Sequence, residues 1–409
     1  MTRTLLVLWM ALVGTVRLDL AGGALPVVLS PFLVLTPLVI GALALQRYLK
    51  ARPLIIEWPA LGYLLAVSLF LAAVGTSTLV SLDADATLAR AVLLLMQFGG
   101  ATAVALLVHD DPDAIAALRT GAMVGVALFV VLDVMAIFAF LGALPLDLPL
   151  GFASLRLDSY GYGGFIPRLS GGSIDPNNAG LLLLIYAFLA PRTRGLALFL
   201  LLLTLSRSAV LAALALGAVS AWQFGVAHRA APARRVLLAI AVVGVALLAI
   251  ARSPVAMEGT ARMLAPFAER VGAGEEGGGS AADHQALIVR AAEEGSRDVP
   301  RATFGLGWGA ANVVLQDIFP GNRYGNFHSL YGTAFAEAGI VALVSALVLL
   351  LMPLLRDTPW RPAVAGFIVF NLFYQSTTEP AFWLLLALAW VARSSPRSAP
   401  LPVAEGVPA

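Results

Sequence analysis

Two side chains that lie beside apolar runs, an arginine and a histidine, can act on a phosphorylated substrate. Arg207 lies in Ser206-Arg207-Ser208, between two apolar runs, and His328 comes just before another run. Arginine binds phosphate oxygens through a planar, paired set of donors better than lysine does. An imidazole with an ordinary pKa of about 6.5 accepts a proton from a hydroxyl near neutral pH. The alternatives without a role in chemistry are an interfacial anchor for Arg207 and a structural hydrogen bond for His328.

His328 ends the longest polar stretch of the chain, residues 252–330. Its glycine-rich part, 272–283, which includes the acidic insert 272–280, predicts a flexible segment. Residues 284–294 predict a short amphipathic helix at the membrane surface. Arg290 lies in that helix and is either a surface charge or a second phosphate ligand.

A second polar stretch, residues 145–173, carries Arg156 and Arg168, which are candidates for supporting a phosphate site. It ends at Asp175-Pro176, a pair typical of a helix start. The aspartate accepts backbone N–H groups, and proline fits the first helical position.

Glu337 and Tyr331 are the other supporting candidates near His328. Glu337 follows His328 by nine residues, which puts it nearly on the opposite side of a helix, so we expect a structural partner. No second histidine or carboxylate stands at metal-ligand spacing beside His328, so we expect no metal site and no cofactor. Tyr331, Trp308 and Tyr324 suit either stacking on sugars or an aromatic belt.

Composition shows what must position these groups. The chain has 409 residues, of which 60% are hydrophobic and only 12% charged, about half the charged fraction of a soluble domain. A span needs about 20 apolar residues. We therefore predict an all-α polytopic membrane protein of about twelve transmembrane helices, near 4–20, 27–46, 59–80, 87–108, 115–143, 175–190, 194–206, 208–227, 234–251, 331–354, 361–376 and 379–392.

Charge and cysteine usage exclude several functions. The net charge of +2 is spread over many short loops, so nucleic acid is not an expected partner. The absence of cysteine excludes disulfides, thiolate metal sites and a cysteine nucleophile. Basic residues collect in alternate loops, which predicts cytoplasmic termini and two outward stretches, 145–173 and 252–330. One inward loop, 109–113, is acidic and goes against this trend.

The predicted organisation has five parts. They are N-terminal helices and the first outward loop, 1–174; central helices, 175–251; a large outward loop with the catalytic candidates, 252–330; C-terminal helices, 331–393; and a cytoplasmic tail, 394–409.

In this order, the motifs resemble a known family. Asp175-Pro176-Asn177 opens a span, Ser206-Arg207-Ser208 lies between two spans, and Phe304-Gly305-Leu306-Gly307 precedes His328-Ser329-Leu330 and Gly339-Ile340. This pattern is similar to the O-antigen ligase and polymerase superfamily, which handles undecaprenyl-diphosphate-linked glycans in Gram-negative bacteria. The resemblance is close over about residues 170–345.

The resemblance implies a metal-independent, inverting glycosyltransferase with a GT-C-like helical fold in the bacterial inner membrane. Its site would face the periplasm, on one large periplasmic loop. Arg207 and Arg290 would hold the donor diphosphate, and His328 would deprotonate the acceptor hydroxyl.

Two reactions fit this pattern. In ligation the acceptor is a sugar of the lipid A core, and in polymerisation it is another lipid-linked repeat unit. We expect ligation first, from chain length and the compact histidine motif. A protein O-oligosaccharyltransferase and a lipid-glycan transporter are further alternatives, and the oligomeric state is left open.

Overall fold

The computed structural model describes residues 2–24, 28–54, 56–157, 160–162, 166–228, 280–317, 325–356 and 358–392. This part of the chain is mostly helical. Its α-helices are α1 Thr2–Leu12, α2 Pro31–Leu49, α3 Trp58–Ser77, α4 Ala84–Val108, α5 Pro112–Phe140, α6 Pro176–Leu189, α7 Arg194–Leu203, α8 Arg207–His228, α9 Ser280–Ser296, α10 Val299–Phe304, α11 Ala311–Val314, α12 Leu330–Leu351, α13 Arg361–Phe373 and α14 Pro380–Val391.

Within the described ranges, five helical stretches are long and apolar enough to cross a membrane. They are Pro31–Leu49, Trp58–Val80, Ala84–Val108, Pro112–Phe140 and Leu330–Leu355. This finding supports the predicted helical membrane class. Other apolar helices are shorter: α14, with 12 residues, spans about 18 Å at 1.5 Å per residue. The twelve-span count therefore stays a prediction, and the predicted span 234–251 lies outside the described residues.

The first predicted outward loop contributes β2 to β5 to two small antiparallel sheets, which the sequence pattern did not predict, and β1 joins one of them from the connection after α1. The three-stranded sheet has the order β1-β3-β2, and β4 pairs with β5. Leu148 and Leu18 both stand opposite Leu155 across the first sheet, and the sheet packs on the end of α5 through Leu132. The strands are β1 Leu18–Asp19, β2 Asp147–Leu150, β3 Ala153–Arg156, β4 Tyr160–Tyr162 and β5 Ile166–Arg168.

Helix α14 is the centre of the bundle, because every residue from Pro380 to Val391 is buried. Trp383 stacks on Phe98 of α4 with ring centroids 4.1 Å apart. Trp308, from the loop after α10, meets Phe70 edge to face at 5.7 Å. Trp308 is thus a core residue, and neither sugar stacking nor an aromatic belt describes it.

The acidic loop 109–113, which went against the basic character of the other inward loops, forms ion pairs at one end of the helix bundle. Asp110 accepts hydrogen bonds from both terminal nitrogens of Arg47, at 2.6 and 2.9 Å, and Asp111 lies 3.6 Å from Arg52. The bond from Arg47 holds the pKa of the Asp110 carboxyl below its ordinary value. The acidic residues therefore neutralise arginines in the last turn of α2 and in the loop that follows it, at what we call the basic end.

The opposite end, here called the site end, is defined by helices α8 and α13, which pack antiparallel. Gln223 near the end of α8 donates to the Thr358 carbonyl just before α13, and Gly366 in mid-α13 packs against Ala212. If the same antiparallel pairing continues along both helices, the start of α8, at Arg207, lies beside the end of α13.

Helix α12 is broken at Gly339, where φ is 79° and ψ −174°. The break frees two carbonyls, and the loop after α10 uses them: Leu306 N donates to Ala336 O and Gly307 N to Glu337 O. A side chain at Gly339 would meet the Thr303 carbonyl. The glycine in the Gly339-Ile340 motif is thus required by the backbone, since few other residues adopt this conformation.

Gly339→Ala should destabilise the protein, by roughly 1–3 kcal/mol from backbone strain alone and further through the clash with Thr303. The matched control is Gly99→Ala, because Gly99 lies in α4 with open space around it. Alanine there should stabilise the helix by roughly 0.5–1 kcal/mol. Thermal unfolding in detergent should show opposite shifts, and equal shifts would contradict the role assigned to Gly339.

Candidate functional site

Three turns distant in sequence meet at the site end: the start of α6 at Asp175, the α7–α8 turn with Arg207, and the turn before α12 with His328. A side chain added at Gly180 in α6 would touch Thr204, Ser206 and Ala209. The first turns of α6 and α8 are therefore in contact.

His328 is held in an unusual backbone conformation. Its φ is 51°, and its N–H donates to Asn326 Oδ1 at 2.8 Å. The next residue, Ser329, donates its hydroxyl to the Asn371 carbonyl of α13. The imidazole is half-buried and lies 5.2 Å from the Tyr374 ring at an interplanar angle of 62°. The loop thus fixes the imidazole against the end of α13.

Tyr374 links this turn to α6, because its hydroxyl donates to Asp175 Oδ2 at 2.6 Å. Asp175 also accepts from the backbone N–H groups of Asn177 and Asn178 and from the Asn178 side-chain amide. Asp175 therefore caps α6 as the sequence predicts. With four donors on its two oxygens, it suits an anchoring role better than that of a base.

Tyr374→Phe should lower the free energy of unfolding by roughly 1.5–3 kcal/mol, the range for a hydrogen bond to a charged group. The variant keeps the ring beside His328. Tyr331→Phe is the control, because the Tyr331 hydroxyl donates to the neutral Ile368 carbonyl at 3.3 Å, and its loss should be smaller, about 0.5–1.5 kcal/mol. Chemical unfolding of both variants is the measurement. Equal losses would mean that the Tyr374 bond to Asp175 has no special strength.

The α7–α8 turn is fixed by hydrogen bonds on both sides of Arg207. Thr204 Oγ1 donates to the Leu201 carbonyl, and Ser206 Oγ accepts from Ala209 N at 3.3 Å. Arg168, which is buried, donates from Nε to the Thr204 carbonyl at 3.0 Å. Arg168 therefore supports the backbone of the Arg207 turn, and Arg207 itself is half-buried as the first residue of α8.

Backbone strain is concentrated in these two turns. Among described non-glycine residues, positive φ occurs at Leu205, His328 and Ala51. Leu205 precedes Ser206-Arg207, so two of the three strained residues border or include a predicted site residue. Such conformations cost about 1–3 kcal/mol each and collect at functional sites when the surroundings enforce them.

The turn carrying Arg168 is itself anchored by Asp133 of α5. Asp133 Oδ1 accepts from Ser170 N at 3.1 Å and from Gly171 N at 2.9 Å. Asp133 is buried, so it acts on Arg207 only through this chain of contacts. Arg156, by contrast, is exposed on β3 opposite Asp147.

Arg290 lies in α9, and the predicted helix 284–294 is confirmed within it. Its side chain lies within 4 Å of three carboxylates, Glu293, Glu294 and Asp317. Ala291, the next residue, packs on Gly332, near the start of α12. Arg290 is thus about one helical turn from the His328 turn, measured along α12. Its own ion pairs, however, are with residues of α9 and with Asp317, which follows α11.

The apolar side of α9 faces the rest of the protein. Leu287 and Ala291 are buried against Phe327 and Ala336, whereas Ile288 is 40% exposed. The buried side of this helix therefore packs on protein.

Glu337 accepts at both oxygens from backbone, from Gly309 N at 2.6 Å and from Ala311 N at 3.1 Å. Arg90 donates to the Gly309 carbonyl beside it. This is a structural role, organising the loop after α10. The N–H groups of Leu306 and Gly307 also donate to protein, so α12 holds this loop along its backbone.

Sequence reasoning missed Tyr374, which joins the histidine turn to α6, and Asn178, whose amide adds to the Asp175 anchor. The available signal was the polar junction Tyr374–Glu379 between two apolar runs. Glu379 caps α14 through Ala381 N. Tyr324 lies outside the described residues.

No protein-family model matches the chain. No curated protein matches it either. The family resemblance therefore rests on the motifs alone.

Proposed function

We propose that the chain is a membrane glycosyltransferase that moves a glycan from undecaprenyl diphosphate to an acceptor hydroxyl at the periplasmic face of the bacterial inner membrane. The observation that carries this proposal is the convergence at one end of the bundle of the His328, Arg207 and Asp175 turns. These turns are distant from one another in the chain, and two of them contain or border a strained residue.

In this reaction His328 is the general base. A ring nitrogen takes the acceptor proton as the acceptor oxygen attacks the anomeric carbon. The bond from that carbon to the diphosphate oxygen breaks on the opposite side, so the anomeric configuration inverts. The half-buried position of the imidazole, fixed by the Asn326 bond and the Tyr374 ring, suits a base that must meet a substrate hydroxyl.

Arg207 stabilises the departing diphosphate, which carries growing negative charge as the bond breaks. Its position at the N-terminus of α8 adds the favourable end of the helix dipole. The supports from Arg168 and Ser206 hold this turn before substrate arrives, and preorganised donors need little rearrangement during the reaction.

Arg290 is the second diphosphate ligand in this proposal, and it must exchange partners to act. Two of its three carboxylate neighbours, Glu293 and Asp317, have side chains that are 61% exposed. Ion pairs of such exposed groups are worth only about 0–1 kcal/mol. A diphosphate therefore competes readily for this guanidinium, while Glu294 remains beside it.

The acceptor distinguishes two forms of the proposal, with ligation to lipid A core preferred and polymerisation of lipid-linked repeat units as the alternative. The test is an in vitro reaction of purified protein with undecaprenyl-diphosphate-linked oligosaccharide, with and without lipid A core. One glycan–lipid A product would support ligation, whereas a ladder of lengthened lipid-linked glycans without lipid A would support polymerisation. If neither product forms, with or without lipid A core, the result would count against the proposed function.

A further inference from the structure

An exposed apolar patch lies where the long polar loop comes back to the helix bundle. Val299 is 78% exposed and Phe304 42% on α10, and Leu79 is 84% exposed in the turn after α3. Val80 and Leu82 are also exposed. We call these five residues the tip patch. A contiguous group of large apolar side chains marks a contact surface rather than a solvated loop.

The two halves of the tip patch belong to one surface. Leu82 N donates to the Leu306 carbonyl at 3.0 Å, two residues after Phe304. Trp308 N donates to Ser77 Oγ at the end of α3, at 3.1 Å, and α10 packs beside α3. Backbone bonds therefore fix the α10 segment to the turn between α3 and α4.

The tip patch lies nearer to the middle of the helix bundle than the start of α12 does. The α9–α10 segment follows α12 in the same direction, because Ala291 meets Gly332, Gly295 meets Phe335 and Thr303 meets Gly339. From Gly332 to Gly339 this is about 10 Å along the helix axis. The segment thus reaches the level at which two of the membrane-length stretches, Trp58–Val80 and Ala84–Val108, end and begin.

Below the tip patch, apolar residues continue along the outer faces of these two stretches. Leu69 of α3 and Leu88 and Leu95 of α4 are all exposed, as expected of side chains that face lipid. Beside the tip patch lie Arg301, which is half-buried, and Arg297, which is exposed and also 3.5 Å from Glu294. Arginines at this level suit lipid phosphates, since their long stems lie along apolar surface with the charge outward.

We propose that the tip patch inserts into the bilayer and contacts lipid acyl chains just below the headgroups. The occupant of this surface is the membrane itself. Insertion anchors the α9–α10 segment, and with it Arg290, at the depth of lipid phosphates. This inference does not depend on the proposed function, because it follows from the apolar surface and its level alone.

Site-directed spin labelling tests this proposal, and the absence of native cysteine lets each single cysteine be read without interference. The variants are Val299→Cys and Phe304→Cys in the tip patch, Leu95→Cys as a lipid-facing reference, and Ala286→Cys, at an exposed residue of α9, as a water-facing reference. Each is labelled with a nitroxide in phosphatidylcholine and phosphatidylglycerol vesicles. Collisions with oxygen, which concentrates in lipid, and with a water-soluble nickel complex are then measured.

We expect labels at 299 and 304 to shift toward oxygen, as at 95, and away from nickel, whereas the label at 286 favours nickel. Labels at 299 and 304 that match 286 would overturn the proposal, because the patch would then face water. Labels shielded from both agents would also overturn it, since another part of the chain or a second copy would then cover the patch. The transfer reaction is not needed for this readout, so its failure has no bearing on the result.

Discussion

Replacing His328 should lower the rate of glycan transfer by about 10²–10⁴-fold, the range contributed by a general base. His328→Asn is the sharper variant, because asparagine tolerates the left-handed backbone conformation that position 328 adopts and cannot take the proton. His328→Ala removes the base and also strains the turn. The measurement is single-turnover transfer with saturating donor, alongside thermal unfolding.

The control is His109→Ala. His109 lies near the basic end, where its Nδ1 meets the Leu106 carbonyl of α4, so transfer should be unchanged. If His328→Asn keeps its rate, the imidazole is structural. If it loses rate and also loses stability to the same degree as His328→Ala, the loss reports folding rather than proton transfer.

The helix starts show how far local sequence chemistry reaches. Asp175-Pro176 predicts the start of α6, and the structure confirms it with two backbone bonds to the aspartate. Capping depends on residues within three positions, so the sequence contains all the information that it requires. The amphipathic pattern at 284–294 likewise predicts α9.

Contacts between distant segments were harder to predict. Nothing in the spacing of Tyr374 and Asp175, 199 residues apart, indicates that their side chains bond, because such contacts follow from the packing of several helices. The same holds for Arg168, a candidate for supporting a phosphate site, because its bond to the Thr204 carbonyl also joins segments that are distant in the sequence. Residue type predicts chemistry, and partner choice depends on the fold.

The length of the short helices also lay beyond the sequence pattern. Apolar runs at 361–376 and 379–392 predict spans, yet α13 and α14 contain 13 and 12 residues. Hydropathy does not distinguish a helix facing lipid from one buried by protein, and α14 is wholly buried. An apolar run is therefore not sufficient evidence for a full membrane span, and the predicted count of twelve spans relied on such runs.

Arg207→Ala should lower transfer by about 10²–10³-fold, as expected when one preorganised donor to developing charge is lost. Arg207→Lys keeps the charge but loses the planar pair of donors, so its rate should fall between those of alanine and arginine. Single-turnover rates, measured across donor concentrations, distinguish a role of Arg207 in binding the donor from a role in stabilising the transition state. Loss of ground-state binding raises the donor concentration needed, and loss of transition-state stabilisation lowers the saturating rate.

Arg192→Ala is the matched control, since Arg192 is exposed in the short connection between α6 and α7 and should not affect either parameter. Guanidinium ion added to Arg207→Ala should restore part of the saturating rate if the missing group acts on the diphosphate. Rescue without a change in thermal stability would separate chemistry from folding. An Arg207→Ala variant with a normal rate would leave Arg207 as an interfacial anchor, and the diphosphate would then need Arg290 or another cation as its main ligand.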